Sequence, residues 1–288
     1  MGTLATKAIA GLGAAGVTGT AAAGVWYINQ PKDVKSKLVS EGLTLVGDSS
    51  RAWRAVFLTH KDDKDFVQFT GIESNQASNS EGSKVSSACA KALKVESSSK
   101  EYDSSLEKAR KYCTVPEFKT VEAKVLFSDK EISSEDRDWK NLFTIHKEDA
   151  YFIDKVKKAS SDNNITSSSQ AESVKSKVQK FCDDLKVKTP NSENLSDYEK
   201  YCLQTAPNAR SFYEGKGRRF VGSGEWGGKF DAIKASDSAL FTAIQDGATL
   251  NNNSPAETGG SKLQAGCDKE VVKEMHAVDP KAKDRCFN

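Results

Sequence analysis

The sequence predicts a mainly α-helical protein with an N-terminal transmembrane helix followed by three tandem repeats of small helical units. Three observations support this fold class: a long uncharged stretch near the N-terminus, a set of landmark residues that recurs with a period of roughly 85–90 residues, and apolar residues at helical spacing around the cysteines. We expect a membrane anchor at residues 1–30 and repeats at residues 31–115, 116–206 and 207–288, each with a short extended segment near its start.

The N-terminal stretch has the features of a membrane span. No charged residue occurs between positions 8 and 28, which is long enough for a helix to cross a bilayer. Lys7 precedes this stretch, Trp26 and Tyr27 lie near its far end, where an aromatic belt is expected, and Pro31 follows it. The sequence therefore predicts that the chain is held in the cell membrane through residues 8–28 as a single span.

Small residues recur every four positions in this segment, which would let two such helices approach closely and associate in the membrane. They are Ala15, Gly16, Gly19, Thr20, Ala23 and Gly24. The alternative is a cleaved signal peptide with its cleavage site at residues 21–23, but the apolar stretch exceeds a typical signal core. Lysines flank the span on both sides, and long domains translocate largely regardless of charge, so charge alone does not orient it.

Each repeat contains the same landmarks in the same order: a proline, a tryptophan, a phenylalanine four residues later, and two cysteines. They are Pro31, Trp53, Phe57, Cys89 and Cys113; Pro116, Trp139, Phe143, Cys182 and Cys202; and Pro207, Trp226, Phe230, Cys267 and Cys286. A Trp and a Phe four residues apart lie on one face of a helix. We interpret these six aromatic residues as the core anchors of the repeats, since one such pair per unit usually indicates packing.

The six cysteines fall two to a repeat, and the repetition selects one of the fifteen pairings that six cysteines allow. The predicted disulfides are Cys89–Cys113, Cys182–Cys202 and Cys267–Cys286. Each would close a loop of about 20–25 residues, which stabilises the fold by roughly 3 kcal/mol. Disulfides persist in oxidising compartments, so this pairing predicts extracellular repeats. The alternative is six buried thiols in a reducing interior.

Within a repeat, the sequence predicts about four short helices after an extended lead. The extended stretches are Leu43–Val46, Val125–Phe127 and Phe220–Val221. The Trp-bearing helix carries His60 or His146 in the first two repeats and Ile233 in the third. Ser- and Asn-rich loops follow at residues 73–83, 160–169 and 251–261. We expect these loops to project from one face as contact sites, although simple slack between helices is an equal alternative.

Composition and motifs argue against several functions. The 42 Lys and Arg residues nearly balance 40 Asp and Glu residues along the whole chain, so no nucleic-acid partner is expected. No metal-ligand spacing, nucleophile elbow or phosphate loop occurs, so we expect no metal and no cofactor. Two glycine motifs, at residues 11–16 and 222–227, match the dinucleotide pattern but lack its strand and helix context. A nucleophile built from Cys182 and His146 is the remaining enzymatic alternative.

The order of these features is similar to that of a known group of proteins. A Gly- and Ala-rich N-terminal helix, the run Lys35-Ser-Lys-Leu-Val-Ser-Glu-Gly-Leu43 before Trp53, and Cys113-Thr-Val-Pro116 before the next repeat carry the resemblance. The chain resembles the large paralogous families of uncharacterised membrane-anchored proteins of haemotropic mycoplasmas. Members typically carry one membrane segment and one such unit, whereas this chain has three. The resemblance implies surface display and supplies no catalytic residue.

These observations favour one functional class over two others. The leading prediction is a non-enzymatic, membrane-anchored surface protein that displays its repeats to the host, with host surface or serum proteins as partners or with antigenic display as the role. The first alternative is a cytoplasm-facing scaffold that binds partner helices. The second is a hydrolase or redox enzyme that uses a cysteine and His146.

Overall fold

The computed structural model describes residues 31–73, 78–244 and 250–288. These residues form fifteen α-helices and isolated bridges but no strand, which confirms the mainly α-helical class. No helix among them is long and apolar enough to cross a membrane. The span predicted at residues 8–28 and the glycine motif at residues 11–16 lie outside the described residues.

Each of the three predicted repeats contains five helices in the same order, with the fourth the longest. The first contains α1 (Val34–Ser40), α2 (Ser50–His60), α3 (Lys64–Thr70), α4 (Ser78–Leu93) and α5 (Tyr102–Tyr112). The second contains α6 (Val121–Phe127), α7 (Asp136–His146), α8 (Ala150–Ser160), α9 (Ala171–Lys186) and α10 (Ser192–Tyr201). The third contains α11 (Ala209–Gly215), α12 (Trp226–Ile233), α13 (Leu240–Ile244), α14 (Ala256–Glu270) and α15 (Ala282–Cys286).

The prediction of about four helices per repeat was wrong by one, because the first helix was missed. In the second repeat, Val125–Phe127 was predicted to be extended but forms the end of α6. Thr120 caps this helix by accepting a hydrogen bond from the backbone N–H of Ala123 at 3.3 Å. Val121 and Val125 lie one helical turn apart and are both buried, so packing overrides the strand preference of a β-branched and aromatic run.

The extended residue of each repeat pairs with the residue that follows its second cysteine. The three antiparallel bridges are Leu45 with Thr114, Ile132 with Leu203, and Phe220 with Phe287. Leu45 and Phe220 lie within the predicted extended stretches, whereas Ile132 lies five residues beyond the one predicted for the second repeat. In the second and third repeats, the bridge holds the end of the last helix beside the segment that leads into the Trp-bearing helix.

By packing, the chain divides into two compact units. One is Met1–Leu45 with Cys89–Thr114, and the other is Val46–Ala88 with Val115–Asn288. The division into repeats at residues 31–115, 116–206 and 207–288 stays a prediction about sequence repetition. Within the larger unit, α2 of the first repeat packs against α6 of the second through an apolar cluster. That cluster consists of Ala55, Phe118, Ala123 and Leu126.

All six aromatic anchors are buried, with Phe57, Phe143 and Phe230 almost completely removed from solvent. In the second repeat, Trp139 and Phe143 of α7 share one core cluster with Phe152 of α8 and Phe181 of α9. Trp226 and Phe230 lie in the corresponding core of the third repeat. Burial of a large aromatic side chain contributes about 2–3 kcal/mol, so these pairs are a principal source of stability in small units.

Glycine allows the closest helix approach in two of the three repeats. Gly82 in α4 and Gly260 in α14 each lie seven residues before the first cysteine of their repeat. A Cβ atom on Gly260 would lie 2.6 Å from the backbone nitrogen of Gly227, and one on Gly82 would lie 3.0 Å from the carbonyl oxygen of Ser50. The second repeat has Lys175 at this position, where its ammonium pairs with Asp136 at 2.5 Å.

Candidate functional site

The structure contains the three disulfides that the repetition predicts. Their Cα atoms are 5.5 Å apart in Cys89–Cys113, 5.6 Å apart in Cys182–Cys202 and 5.4 Å apart in Cys267–Cys286. All six cysteines are buried and none is free. In each repeat the disulfide bond joins the longest helix to the end of the last helix.

A group of hydrogen-bonded titratable side chains lies near the disulfide of the second repeat. Asp149 caps the N-terminus of α8 by accepting hydrogen bonds from the backbone N–H groups of Tyr151 and Phe152, at 3.0 and 3.4 Å. Its Oδ2 atom also accepts hydrogen bonds from Nζ of Lys200 and the hydroxyl of Tyr201, both at 2.8 Å. These bonds, that of Lys200 first, lower the pKa of Asp149 to about 2.

His146 ends α7, three residues before Asp149, and its ring packs against two aromatic rings. Its ring centroid is 5.0 Å from that of Tyr201 and 5.6 Å from that of Phe152. Burial among these rings lowers the pKa of His146 to about 4, and the nearby charge of Lys200 adds to the effect. At neutral pH the imidazole is therefore uncharged. We call His146, Asp149, Lys200 and Tyr201 the Asp149 cluster.

A second carboxylate lies beside the cluster on α10. The hydroxyl of Tyr151 is 3.1 and 3.0 Å from the two carboxylate oxygens of Asp197. Lys155 pairs with Asp197 at 3.2 Å and with Glu193 at 3.0 Å. Hydrogen bonds, first to Tyr151 and then to Glu193, raise the pKa of the Lys155 ammonium. This group ties α8 to α10.

The aspartate of the cluster recurs in every repeat. Asp63 caps α3 through the backbone N–H of Asp65 at 3.0 Å, and Asp237 accepts from the backbone N–H of Ala239 at 3.1 Å. In the third repeat, Nε of Arg285 donates to Asp237 at 2.5 Å. Arg285 immediately precedes the second cysteine, as Tyr201 does in the second repeat. In the second and third repeats, this aspartate therefore joins the start of the third helix to the residue that precedes the second cysteine.

The sequence contains a signal for this aspartate that its pattern of aromatic residues and cysteines does not include. Asp63 and Asp149 each follow the repeated histidine by three residues, and Asp237 follows Ile233 by four. Alignment of the three repeats on their Trp residues brings the three aspartates within one position of each other.

The third histidine, His276, has a different role, because its backbone N–H donates to Oδ1 of the buried Asn141 at 3.0 Å.

The protonation states in the Asp149 cluster favour a structural role. General acid–base catalysis works best with a pKa near the operating pH. Here the pKa values of His146 and Asp149 are lowered, whereas that of Lys200 is raised by its bond to Asp149 and that of Tyr201 by burial. Each of these shifts moves the pKa of the group further from pH 7. Cys182 is bonded to Cys202, so it supplies no thiolate for a Cys–His nucleophile while that bond is intact.

The glycine motif at residues 222–227 makes contacts that serve local structure and helix packing. In residues 222–227, the backbone N–H of Gly222 donates to a carboxylate oxygen of Glu225 at 3.2 Å. A Cβ atom on Gly227 would lie 3.3 Å from the carbonyl oxygen of Ala256, so this glycine serves helix packing. No group of three His, Cys, Asp or Glu residues that could hold a metal ion occurs in the part of the chain that the structure describes.

Comparison with known proteins does not add a functional assignment. No protein-family model, curated protein or solved structure matches this chain. The resemblance to families of haemotropic mycoplasmas stays a prediction from the sequence, and the case for function depends on the residues themselves.

Proposed function

We propose that this chain is a non-enzymatic, membrane-anchored surface protein that displays three disulfide-closed helical repeats outside the cell. The observation that carries the proposal is the presence of three buried disulfides at equivalent positions. Structural disulfides persist in oxidising compartments and are rare where thiols are kept reduced. Their even distribution, one to each repeat, supports an extracellular location for all three.

The size of the repeats makes these bonds important. Hydrophobic residues make up 37% of the chain, which is a low fraction for a globular protein, and each repeat is short. The disulfides close loops with sequence separations of 24, 20 and 19 residues, and each contributes about 3 kcal/mol in the chain-entropy model. Without them, units of this size are marginally stable. Their fold therefore suits an oxidising environment.

The chemistry of the Asp149 cluster supports display or binding rather than catalysis. Its titratable groups are each held in one protonation state near pH 7, and the cysteine beside it is in a disulfide. In this proposal, residues 8–28 form the membrane anchor, whose small residues allow two copies to associate. The expected partners are host surface or serum proteins, and antigenic display is the other role consistent with an exposed repeat surface.

The topology part of the proposal is tested with a reporter cysteine. Val272 is 68% exposed and lies on the surface after α14, so Val272→Cys places an accessible thiol on the third repeat. We expect a membrane-impermeant maleimide to label this variant in intact cells, whereas the unsubstituted chain is not labelled. Labelling of Val272→Cys that requires lysis would contradict the extracellular location.

The redox part is tested separately on the unsubstituted chain. Cells are quenched in denaturant, and free thiols are blocked with a maleimide that carries a mass tag, with and without prior reduction. We expect no added tag without reduction and six tags after it, one for each cysteine. Six tags without reduction, together with a reporter protected in intact cells, would instead support the alternative of a cytoplasm-facing scaffold.

A further inference from the structure

We propose that a groove beside α8 binds an extended acidic peptide that carries an apolar side chain between two carboxylates. The groove has a volume of about 360 Å³ and lies between α8 and the Ser- and Asn-rich loop of the second repeat. Its apolar floor consists of Ala150, Ile153 and Ile165, and the lysines at its rim are Lys147 and Lys157. We call it the α8 groove.

The two rim lysines carry the charge argument. Both are half-buried, and neither has a carboxylate partner among the described residues. By contrast, the neighbouring Lys155 and Lys158 are paired, the latter with Asp154 at 2.7 Å. A lysine ammonium with no protein partner is available to a carboxylate of a ligand, and such charge-assisted hydrogen bonds are about twice as strong as neutral ones.

The length of the groove along α8 guides the choice of peptide. Lys147 lies in the turn before α8, and Lys157 lies in its last turn, seven residues after Ala150, the first helical residue. The helical part, from Ala150 to Lys157, spans about 10 Å. An extended peptide covers about 3.3 Å per residue, so two carboxylates about three residues apart match this helical part. The apolar floor between the lysines would receive the side chain between the carboxylates.

The other charged residues of the rim define a specific prediction. The charge of Asp154 is balanced by Lys158, but Glu148 is exposed and adjacent to Lys147. Glu148 would repel an incoming carboxylate, so Glu148→Gln should tighten binding of an acidic peptide. Substitution of Lys147 or Lys157 should weaken it. Substitutions at neighbouring rim positions are therefore expected to change the affinity for the peptide in opposite directions, which a loss of folding would not produce.

The experiment uses the purified full chain in detergent and a fluorescein-labelled peptide of sequence Glu-Ser-Leu-Glu, with anisotropy as the readout. We expect saturable binding with a dissociation constant below about 1 mM at low salt, and weaker binding as salt is added. Lys147→Glu and Lys157→Glu should each weaken binding about ten-fold or more. Glu148→Gln should strengthen it about two-fold or more.

Two controls separate the groove from general charge effects. Lys180→Glu makes the same charge change at an exposed lysine of α9 that is paired with Asp184, and it should leave binding unchanged. The peptide Lys-Ser-Leu-Lys should not bind. The proposal is overturned if the acidic peptide does not bind saturably, if Lys147→Glu and Lys157→Glu bind it as tightly as Lys180→Glu does, or if the basic peptide binds equally well. Because the assay uses purified protein, its result is independent of the membrane topology.

Discussion

The hydroxyl of Tyr201 donates to Oδ2 of Asp149 at 2.8 Å, one residue before the disulfide cysteine Cys202. This bond joins the capped N-terminus of α8 to the end of α10. In the third repeat, Arg285 makes the equivalent contact with Asp237. A polar clasp between the third helix and the last one is therefore present in the second and third repeats, although its donor changes from a phenol to a guanidinium group.

Tyr201→Phe tests this clasp. The substitution removes the hydrogen bond to Asp149 and keeps the ring that contacts His146, so we expect the free energy of unfolding to fall by about 1 kcal/mol. Asp149→Ala should cost more, about 2 kcal/mol, because it also removes the cap of α8. Urea denaturation measures both changes. Equal stability of Asp149→Ala and the unsubstituted chain would show that the clasp is dispensable.

His146→Ile tests the acid sensitivity of the second repeat, with Ile233 of the third repeat as the precedent for an apolar residue at this position. The folded state lowers the pKa of His146 from 6.5 to about 4, so the unfolded chain binds more protons between these values. His146 therefore favours the folded state above pH 6.5, and this contribution is lost as the pH falls towards 4. Between pH 7 and pH 5 the unsubstituted chain should lose up to about 2 kcal/mol more than His146→Ile.

The measurement for His146→Ile is the urea midpoint of both proteins at pH 7 and at pH 5. The difference between the two proteins cancels the contributions of groups that they share. Asp149, whose pKa is about 2, stays ionised across this range. The same loss of stability in both proteins would place the acid sensitivity elsewhere.

Gly260→Ala tests the close contact between α12 and α14. The new methyl group would lie 2.6 and 2.8 Å from backbone atoms of Gly227, which cannot move away as a flexible side chain would. We expect a loss of about 2 kcal/mol or more. Gly228→Ala is the matched control, since its methyl group meets no atom within 4 Å and alanine favours helix by about 1 kcal/mol. Thermal unfolding of the two variants should therefore shift in opposite directions, and a gain in both would contradict the predicted packing.

Removal of the second disulfide by Cys182→Ser with Cys202→Ser should cost about 3 kcal/mol in the free energy of unfolding. Single substitution of Cys182 to Ser should cost a similar amount, because it removes the same cross-link and leaves Cys202 as a thiol that an apolar core accommodates. The test is chemical denaturation of both variants beside the reduced unsubstituted chain. A variant that is as stable as the oxidised chain would show that this bond is not structural.

Repetition is what made much of the fold predictable from the sequence. Three copies of the same spacing identify Trp139 and its equivalents as anchors and select the cysteine pairs, since equivalent positions occupy equivalent environments. Local pattern failed where two signals conflicted. The run Val125–Phe127 resembles a strand, but the cap at Thr120 and the burial of Val121 make it helical. The cap at Thr120 is a local signal, but the burial of Val121 depends on the core of the second repeat, which the short run does not contain.

The sequence by itself determined the helical class, the order of the repeat landmarks and the pairing of the cysteines, because each depends on local periodicity or on spacing that recurs. Only the tertiary structure decided the contact between Asp149 and Tyr201, the neutral state of His146 and the unpaired lysines at the α8 groove. Each of these depends on distances between side chains far apart in the chain. Such distances follow from packing, and packing is determined by the whole set of buried contacts rather than by any one segment.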